Sequence, residues 1–493
     1  MARQDQRRAR LVDAGLGRAR VTPEAIIGVA GAGAMGAGIA EVAARAGHAV
    51  IVLDSVPAAL DRGRENLVKG LDAQVARGRL EAAEAAKIAA RTFWTGETAA
   101  LAPAALIIEA IIEDAAAKKA LFAALERAAP GAILATNTSS LPVTALASGL
   151  ARPGRFLGLH FFNPATVMKL VEIVPGLETD PALVGEMQSL MERWGKKVVV
   201  AKDLPGFIVN RLARPFYGEG WRALEEGAAA PDTIDRLYRE LGRFRMGPFE
   251  LGDLIGHDVN LAAARSVFVA YHGATRFRPS LAQAALVDAG RFGRKSGRGV
   301  YSYTEERPAP GSAPAPAGEA GALTRLIEQG EAMRGGVLFR HADGRPASLI
   351  AAEAGTPAVA VDYIHDPAAT SLIAYSASDD RARRAAAEFA SENGKDGVEI
   401  ADRPGGIVLR ALLQLANAAA DALRDQAASE GDIDLAMLAG VNYPFGPWEW
   451  TRGFGFHRVV EALTRIAEET GDGLYRPSEH LRAAARTEAA AGR

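Results

Sequence analysis

The stretch GVAGAGAMGAGIA, residues 28–40, decides how the chain is read. It closes an apolar run, IIGVA, and opens an alanine-rich segment of helical texture, so Gly31, Gly33 and Gly36 form G-x-G-x-x-G between a predicted strand and a predicted helix. The first glycine permits a tight turn, the second lets backbone approach a pyrophosphate, and the third lets the helix pack on the strand, with the helix N-terminus facing the anion. AVIVLD supplies the next strand. Asp54 at its end stands eighteen residues after Gly36, near the spacing at which a carboxylate meets an adenosine ribose. A carboxylate repels a 2′-phosphate, so NAD is expected over NADP, although Arg62 and Arg64 lie close by in sequence.

Outward from that unit, ALIIEAII, AILATN, FLGLHFF and KLVEIV read as further strands, with helices such as KKALFAALERAA between some of them. Such alternation predicts a parallel sheet with right-handed crossovers. After KKVVVAKD the texture becomes helical, with caps such as PDTID and no strand run as far as Tyr303. ERPAPGSAPAPAGEAG then reads as an extended linker. The expected organisation is a flexible tail (1–24), an α/β Rossmann-type NAD-binding domain (25–203), an all-α domain (204–303), a linker (304–321), a small α/β segment (322–401) and a second helical domain (402–493).

The second helical domain follows from an internal repeat. An offset of 199 residues lays DLPGFIVNR (203–211) on DRPGGIVLR (402–410), Ile234-Asp235 on Ile433-Asp434, and MGPFE (246–250) on FGPWE (445–449). The matches are dominated by Gly, Pro and Asp.

Composition narrows the partners. A formal charge of −2 over 493 residues gives no basic field for nucleic acid or an anionic membrane, and no apolar run reaches the length of a membrane span. The chain has no cysteine, which excludes disulfides, thiolate metal sites and thiol catalysis. The arginine-rich tail carries Asp5 and Asp13 and lacks the apolar core of a secretory signal, so cytoplasm is the default setting. Small molecules or like subunits are the expected partners, and no metal is expected.

With a nicotinamide placed, alcohol oxidation needs a base for the hydroxyl proton. His160 ends the run FLGLH, where open α/β sheets expose residues to the ligand crevice. Glu172, in the next strand-like run, is placed to hold the other ring nitrogen. NTSSL (137–141) brings the Ser139 hydroxyl to the same rim as a donor to the developing carbonyl oxygen. A satisfied structural histidine and a Ser/Thr-rich turn are the plainer readings of the same residues, and the pattern alone leaves both open.

GAGAMG, EAIIED, NTSSL, GLHFFNP with MKLVE, and PGFIVNR with MGPFE together resemble the L-3-hydroxyacyl-CoA dehydrogenases across residues 25–303. The resemblance implies NAD-dependent oxidation of an (S)-3-hydroxyacyl-CoA to a 3-oxoacyl-CoA, the thioester entering between the first domain and residues 204–303. It assigns His160 as base, Glu172 as its partner, and Ser139 and Asn210 as substrate-positioning groups. It brings Gly31, Gly33, Met35, Gly36, Asp54, Glu113, Lys118, Ser139, Asn163 and Lys295 to the cofactor, and Lys69 and Arg77 to coenzyme A, with Gly70 where a serine contact can occur.

The C-terminal half, with GVNYPFGPWEW (440–450), resembles longer bacterial members of that family, among them the 3-hydroxybutyryl-CoA and 3-hydroxyadipyl-CoA types. The offset lays His160 on Val359, Glu172 on Ser371 and Asn210 on Leu409; a local gap that aligns NPAT with DPAA lays the first two on Tyr363 and Tyr375 instead. Either way the base, its partner and the amide are gone, so this copy is expected to be non-catalytic. Members with one helical domain pair through it, which implies either a monomer with an internal pseudo-dimer or a homo-oligomer. An NAD(P)-dependent hydroxyacid dehydrogenase and a silent nucleotide-binding subunit are the alternatives.

Overall fold

The computed structural model describes residues 21–303 and 321–492; residues 1–20 of the expected tail, 304–320 of the expected linker, and Arg493 lie outside the described residues. The chain forms two compact units that divide between Phe207 and Ile208. Among the described residues no helix is long and apolar enough to cross a membrane.

The first unit is an eight-stranded sheet built from β1 (Ile26–Ala30), β2 (Val50–Leu53), β3 (Thr92–Thr95), β4 (Ala104–Glu109), β5 (Ile133–Thr136), β6 (Phe156–Phe161), β7 (Leu170–Pro175) and β8 (Lys197–Val200). Their order is β3-β2-β1-β4-β5-β6-β7-β8. The central strands are apolar and buried along their length because helices cover both faces. Strand order reverses between β1 and β4, which opens the crevice where the glycine turn sits. TFWT had no strand signal in the sequence; it forms the edge strand β3, four residues with Phe93 59 % exposed. Val21 is buried and its N–H donates to Glu186 (2.8 Å), so the last residues of the expected tail are packed against this unit.

The sheet departs from the all-parallel expectation at one place. β7 runs antiparallel to β6. Residues 162–169 join them, fewer than the dozen or so that a parallel crossover requires, so the chain reverses. That reversal sets His160 directly opposite Glu172.

The second unit carries helices Val209–Leu212, Arg214–Glu225, Pro231–Glu240, Pro248–Ile255, His257–Ala270 and Leu281–Asp288. A five-stranded sheet follows: β9 (Glu331–Arg334), β10 (Val337–His341), β11 (Ala358–Val361), β12 (Leu372–Ala377) and β13 (Asp396–Glu399), in the order β13-β12-β11-β10-β9. Helices Val408–Arg424, Glu430–Gly440, Pro447–Phe454, Phe456–Thr470 and Glu479–Ala490 complete the chain. The repeated Asp and Gly-Pro have one physical cause. Asp235 accepts the N–H groups of Phe249 and Glu250 at the start of Pro248–Ile255, and Asp434 accepts those of Trp448 and Glu449 at the start of Pro447–Phe454. A Cβ at Gly247 or Gly446 would fall 2.1 Å from Asp235 Oδ1 or 2.3 Å from Asp434 Cγ. Only glycine lets each carboxylate approach.

Strands β10 to β13 repeat the parallel, antiparallel, parallel pairing of β5 to β8. Register then corrects both residue alignments of the repeat. Val199 pairs with Glu172, which pairs with His160; at the 199-residue offset Val398 pairs with Ala374, whose carbonyl accepts the Asp362 N–H. The equivalents of His160 and Glu172 are therefore Asp362 and Ala374, because loops around these strands are shorter than in the first half. Asp362 is buried and accepts the N–H groups of Ile407, Val408 and Leu409 at 2.9, 2.9 and 3.0 Å, capping the helix Val408–Arg424.

Asp362→Ala should strand those donors inside the protein and cost about 2–4 kcal/mol. Urea unfolding of the second unit in the intact chain reads the loss; an unchanged midpoint would mean the cap carries no stability.

Candidate active site

The glycine turn is shaped by close approach. Gly31 has φ +114°, and a Cβ there would lie 2.5 Å from the Ala110 carbonyl oxygen; one at Gly36 would lie 1.9 Å from that of Gly31. At Gly33, by contrast, a Cβ would meet nothing within 4 Å. The open space is therefore at the N-terminus of Ala34–Arg45, a helix with no side-chain cap, while Met35 packs partly buried against the core. Asp54 is fixed beside it, accepting the Ala32 N–H at 2.8 Å and the Val56 N–H at 2.9 Å. Uncapped amides, room at Gly33 and a positioned carboxylate suit the pyrophosphate and ribose of NAD.

The loop that follows β5 is held by charge. Glu113 Oε1 accepts the Thr138 hydroxyl (2.7 Å), the Ser139 N–H (2.9 Å), and the N–H and hydroxyl of Ser140 (3.0 and 2.8 Å). Burial would raise this carboxyl, but the Thr138 hydroxyl, Lys118 and Ser140 together hold it below the ordinary carboxylate range. Lys118 is 1 % exposed and bridges Glu109 (2.5 Å) and Glu113 (3.2 Å). Glu109 is completed by the Thr136 hydroxyl and the Ile111 N–H, both at 2.7 Å. Ser139 thus sits at the C-terminal edge of β5, on a loop whose donors converge on the Glu113 carboxylate.

His160 and Glu172 are both buried, with Nδ1 and Oε2 2.6 Å apart. A carboxylate only accepts, so Nδ1 carries a proton, and the neutral ring offers its lone pair at Nε2. Phe162 and Phe207 pack the ring at centroid distances of 4.5 and 5.7 Å. The end of β6 is tied to the Ser139 loop, since Asn137 Oδ1 accepts the Phe161 N–H at 2.8 Å. The turn into β7 is tied by Lys196, whose ammonium donates to the carbonyls of Ala165 (2.5 Å) and Met168 (2.8 Å). Burial pushes Lys196 down to about 8.

The first unit therefore brings together His160 with Glu172, and Ser139 with Glu113 and Lys118. Asn163, in a cis peptide with Pro164, is exposed just beyond β6. Lys69 and Arg77 are exposed on and after Pro57–Ala76; Lys69 faces Glu65 at 3.4 Å, while a Cβ at Gly70 would point at Glu41. Asn210 and Lys295 belong to the second unit. Asn210 receives the Arg214 Nε–H on its carbonyl at 2.9 Å, and Lys295 pairs with Asp258 at 2.6 Å. Sequence reading missed Asn137, Glu109 and Lys196. Asn137 heads the quoted NTSSL and carried a signal; a buried lysine bonded to carbonyls carries none.

The profile described as "3-hydroxyacyl-CoA dehydrogenase, NAD binding domain" matches residues 26–204, and "3-hydroxyacyl-CoA dehydrogenase, C-terminal domain" matches both 206–303 and 405–492. A "3-hydroxybutyryl-CoA dehydrogenase reduced Rossmann-fold domain" matches 340–404, the segment of the second sheet. The chain is 43 % identical over 458 residues to the 3-hydroxyadipyl-CoA dehydrogenase of Escherichia coli K12, covering 92 % of this chain and 96 % of that one. It is 39 % identical over 280 residues, 56 % of this chain, to a 3-hydroxybutyryl-CoA dehydrogenase of Mycobacterium tuberculosis, and covers 98 % of it. The crystal structure of a 3-hydroxybutyryl-CoA dehydrogenase from E. coli K12 superposes with a TM-score of 0.89 at 41 % identity, covering 95 % of this chain and 99 % of that one.

Glu172→Gln keeps an acceptor for Nδ1 but removes the charge. It should lower kcat roughly 10²–10³-fold while the thermal midpoint stays within a few degrees. Steady-state rates at the NADH band check it; a wild-type rate would remove Glu172 from the chemistry.

Proposed function

The chain belongs to the 3-hydroxyacyl-CoA dehydrogenase family, and from that premise we propose which of its residues do the chemistry and which acyl group it takes. The protein is an NAD-dependent dehydrogenase of 3-hydroxyacyl-CoA thioesters. His160 is the base. Its Nε2 removes the C3 hydroxyl proton as hydride leaves C3, and the C3–O bond becomes the carbonyl of a 3-oxoacyl-CoA. NAD, when bound, supplies the hydride acceptor. Glu172 holds the ring in one tautomer and balances the imidazolium; Ser139 donates to the C3 oxygen, and Asn210 positions the thioester. Gly31, Gly33, Met35, Gly36 and Asp54 cradle the dinucleotide, with Glu113, Lys118, Asn163 and Lys295 on the cofactor side, and Lys69 and Arg77 meet coenzyme A. The observation that carries this reading is the buried 2.6 Å His160–Glu172 pair at the edge of the dinucleotide fold.

For the acyl group we propose the six-carbon dicarboxyl substrate, 3-hydroxyadipyl-CoA. The relative of that name aligns along both halves of the chain, whereas the Mycobacterium protein named for the four-carbon substrate aligns with 56 % of it. The solved E. coli structure named for 3-hydroxybutyryl-CoA keeps the four-carbon thioester as the second reading. A cytoplasmic setting belongs to the same proposal, since NAD and acyl-CoA are the reactants.

The second helical copy we propose to be non-catalytic and to act as an internal partner for the first. Its Arg410 meets Glu219 (3.1 Å) and Glu226 (2.9 and 3.0 Å) of the first copy, and Arg403 adds a further pair to Glu226. A monomer in analytical ultracentrifugation is the expected result; a dimer built through these helices would overturn it.

The chemistry is tested by NADH oxidation with acetoacetyl-CoA and 3-oxoadipyl-CoA. His160→Ala should lower kcat about 10²–10⁴-fold with its circular dichroism unchanged, and 3-oxoadipyl-CoA should give the higher kcat/KM in the wild type. A variant as fast as wild type removes His160 as base; no turnover of either thioester by the wild type sinks the assignment.

A further inference from the structure

The connection that turns β7 back on β6 carries carbonyls that no strand ladder takes up, and a buried carbonyl needs a donor. Within it the Pro164 carbonyl accepts the N–H groups of Val167 (3.0 Å) and Met168 (2.9 Å), which closes one tight turn. The carbonyls of Ala165 and Met168 are both met by one side chain from outside the turn, the ammonium of Lys196, at 2.5 and 2.8 Å. Lys196 is buried, and among the described residues no carboxylate pairs with it. An ammonium withdrawn from water without a counter-charge is a costly donor, so what it holds has to matter.

Three parts of the first unit meet at that turn. β6 enters it at Phe161, one residue after His160. β7 leaves it at Leu170, two residues before Glu172, and Leu170 pairs with Lys197, the chain neighbour of Lys196. Between them, buried Ala165 packs on the helix Ala34–Arg45 so closely that a Cβ at Gly38 would lie 3.2 Å from the Ala165 Cβ. That helix starts at the glycine turn.

The second copy keeps the clamp without the pair. Lys395, 199 residues further on, is buried in the same way and donates to the Thr370 carbonyl at 2.6 Å, just ahead of β12. Where the first copy has His160 and Glu172, this one has Asp362 and Ala374. The lysine is thus part of the frame, and only in the first copy does the frame carry a histidine and its carboxylate.

We propose that Lys196 is a positioning residue for the dehydrogenation: through the carbonyls of Ala165 and Met168 it holds His160 and Glu172 in one fixed relation to the helix that receives the dinucleotide. The inference rests on the reading of His160 as the base. A base displaced by about 1 Å is enough to cost roughly 10²-fold in rate, and such a shift leaves the binding of thioester and cofactor nearly as it was.

The same clamp is removed from the two copies by Lys196→Met and Lys395→Met, compared in steady-state NADH oxidation with acetoacetyl-CoA. Lys196→Met should lower kcat roughly 10–100-fold, with the KM of acetoacetyl-CoA and the Kd of NADH within about threefold of wild type. Lys395→Met should leave kcat within about twofold, although both variants lose thermal stability. Lys196→Arg keeps charged donors but in a longer, planar group, so it should recover part of the loss and stay severalfold below wild type. A wild-type kcat in Lys196→Met overturns the inference. So does an equal fall in both Met variants, which marks general loosening, or a rise in KM at unchanged kcat, which marks a binding role. If His160→Ala is as fast as wild type, the base reading fails and this inference with it, whatever the lysine variants do. Should Lys196→Met not fold, Lys196→Arg decides: a severalfold fall in kcat at unchanged KM upholds the proposal, and a wild-type kcat overturns it.

Discussion

The reversal of one strand organises the first unit. Because β7 turns back on β6, two side chains twelve residues apart become cross-strand neighbours, and His160 Nδ1 meets Glu172 at 2.6 Å. A fully buried carboxylate is costly without a partner, and His160 supplies that partner. The elements around it hold the reversal in place. Lys196 fastens the connecting turn through two carbonyls, and Asn137 fastens the end of β6 to the loop that carries Ser139. Moving either clamp would move His160 relative to Ser139.

The second half shows the same frame without a counterpart of the His160–Glu172 pair. Asp203 receives the N–H groups of Val143 and Thr144, and Asp402 receives those of Ala347 and Ser348, so the clamp between strand end and helix start is kept in both copies. The Asp235 and Asp434 caps are likewise kept. At the position of His160, however, stands Asp362, with its carboxylate folded back onto the N-terminus of the helix Val408–Arg424. An acid that also accepts the Tyr363 N–H, and so is committed to four backbone donors, has no free acceptor face for a substrate proton. The helix that Asp362 caps is buried at every residue from Val408 to Ala422.

Much of this was legible in the chain. The glycine spacing, Asp54 at a strand end, and the pair His160 and Glu172 each obey a local rule, and the repeat showed itself because caps and turns demand Gly, Pro and Asp at fixed places. What escaped was set by pairing between distant segments. Antiparallel β7 follows from the shortness of the 162–169 connection, which strand texture does not reveal. Strand β3 is too short and too exposed to carry an apolar run. The register that equates Asp362 with His160 differs from both sequence alignments, because a shortened loop moves every pairing while leaving Gly and Pro landmarks in step.

The loop after β5 shows how the site is set by charge more than by backbone regularity. Residues 138–140 make no ladder, and their donors converge on a single oxygen of Glu113. One acceptor serving so many donors holds them only while it is ionised, and the same donors favour that ionised form. Lys118 joins this carboxylate to Glu109 beneath it, and Glu109 in turn bonds Thr136 at the end of β5. The position of Ser139 thus depends on a chain of ionic contacts rooted in the core, and that chain ends one residue short of Asn137, the group that anchors the strand of His160.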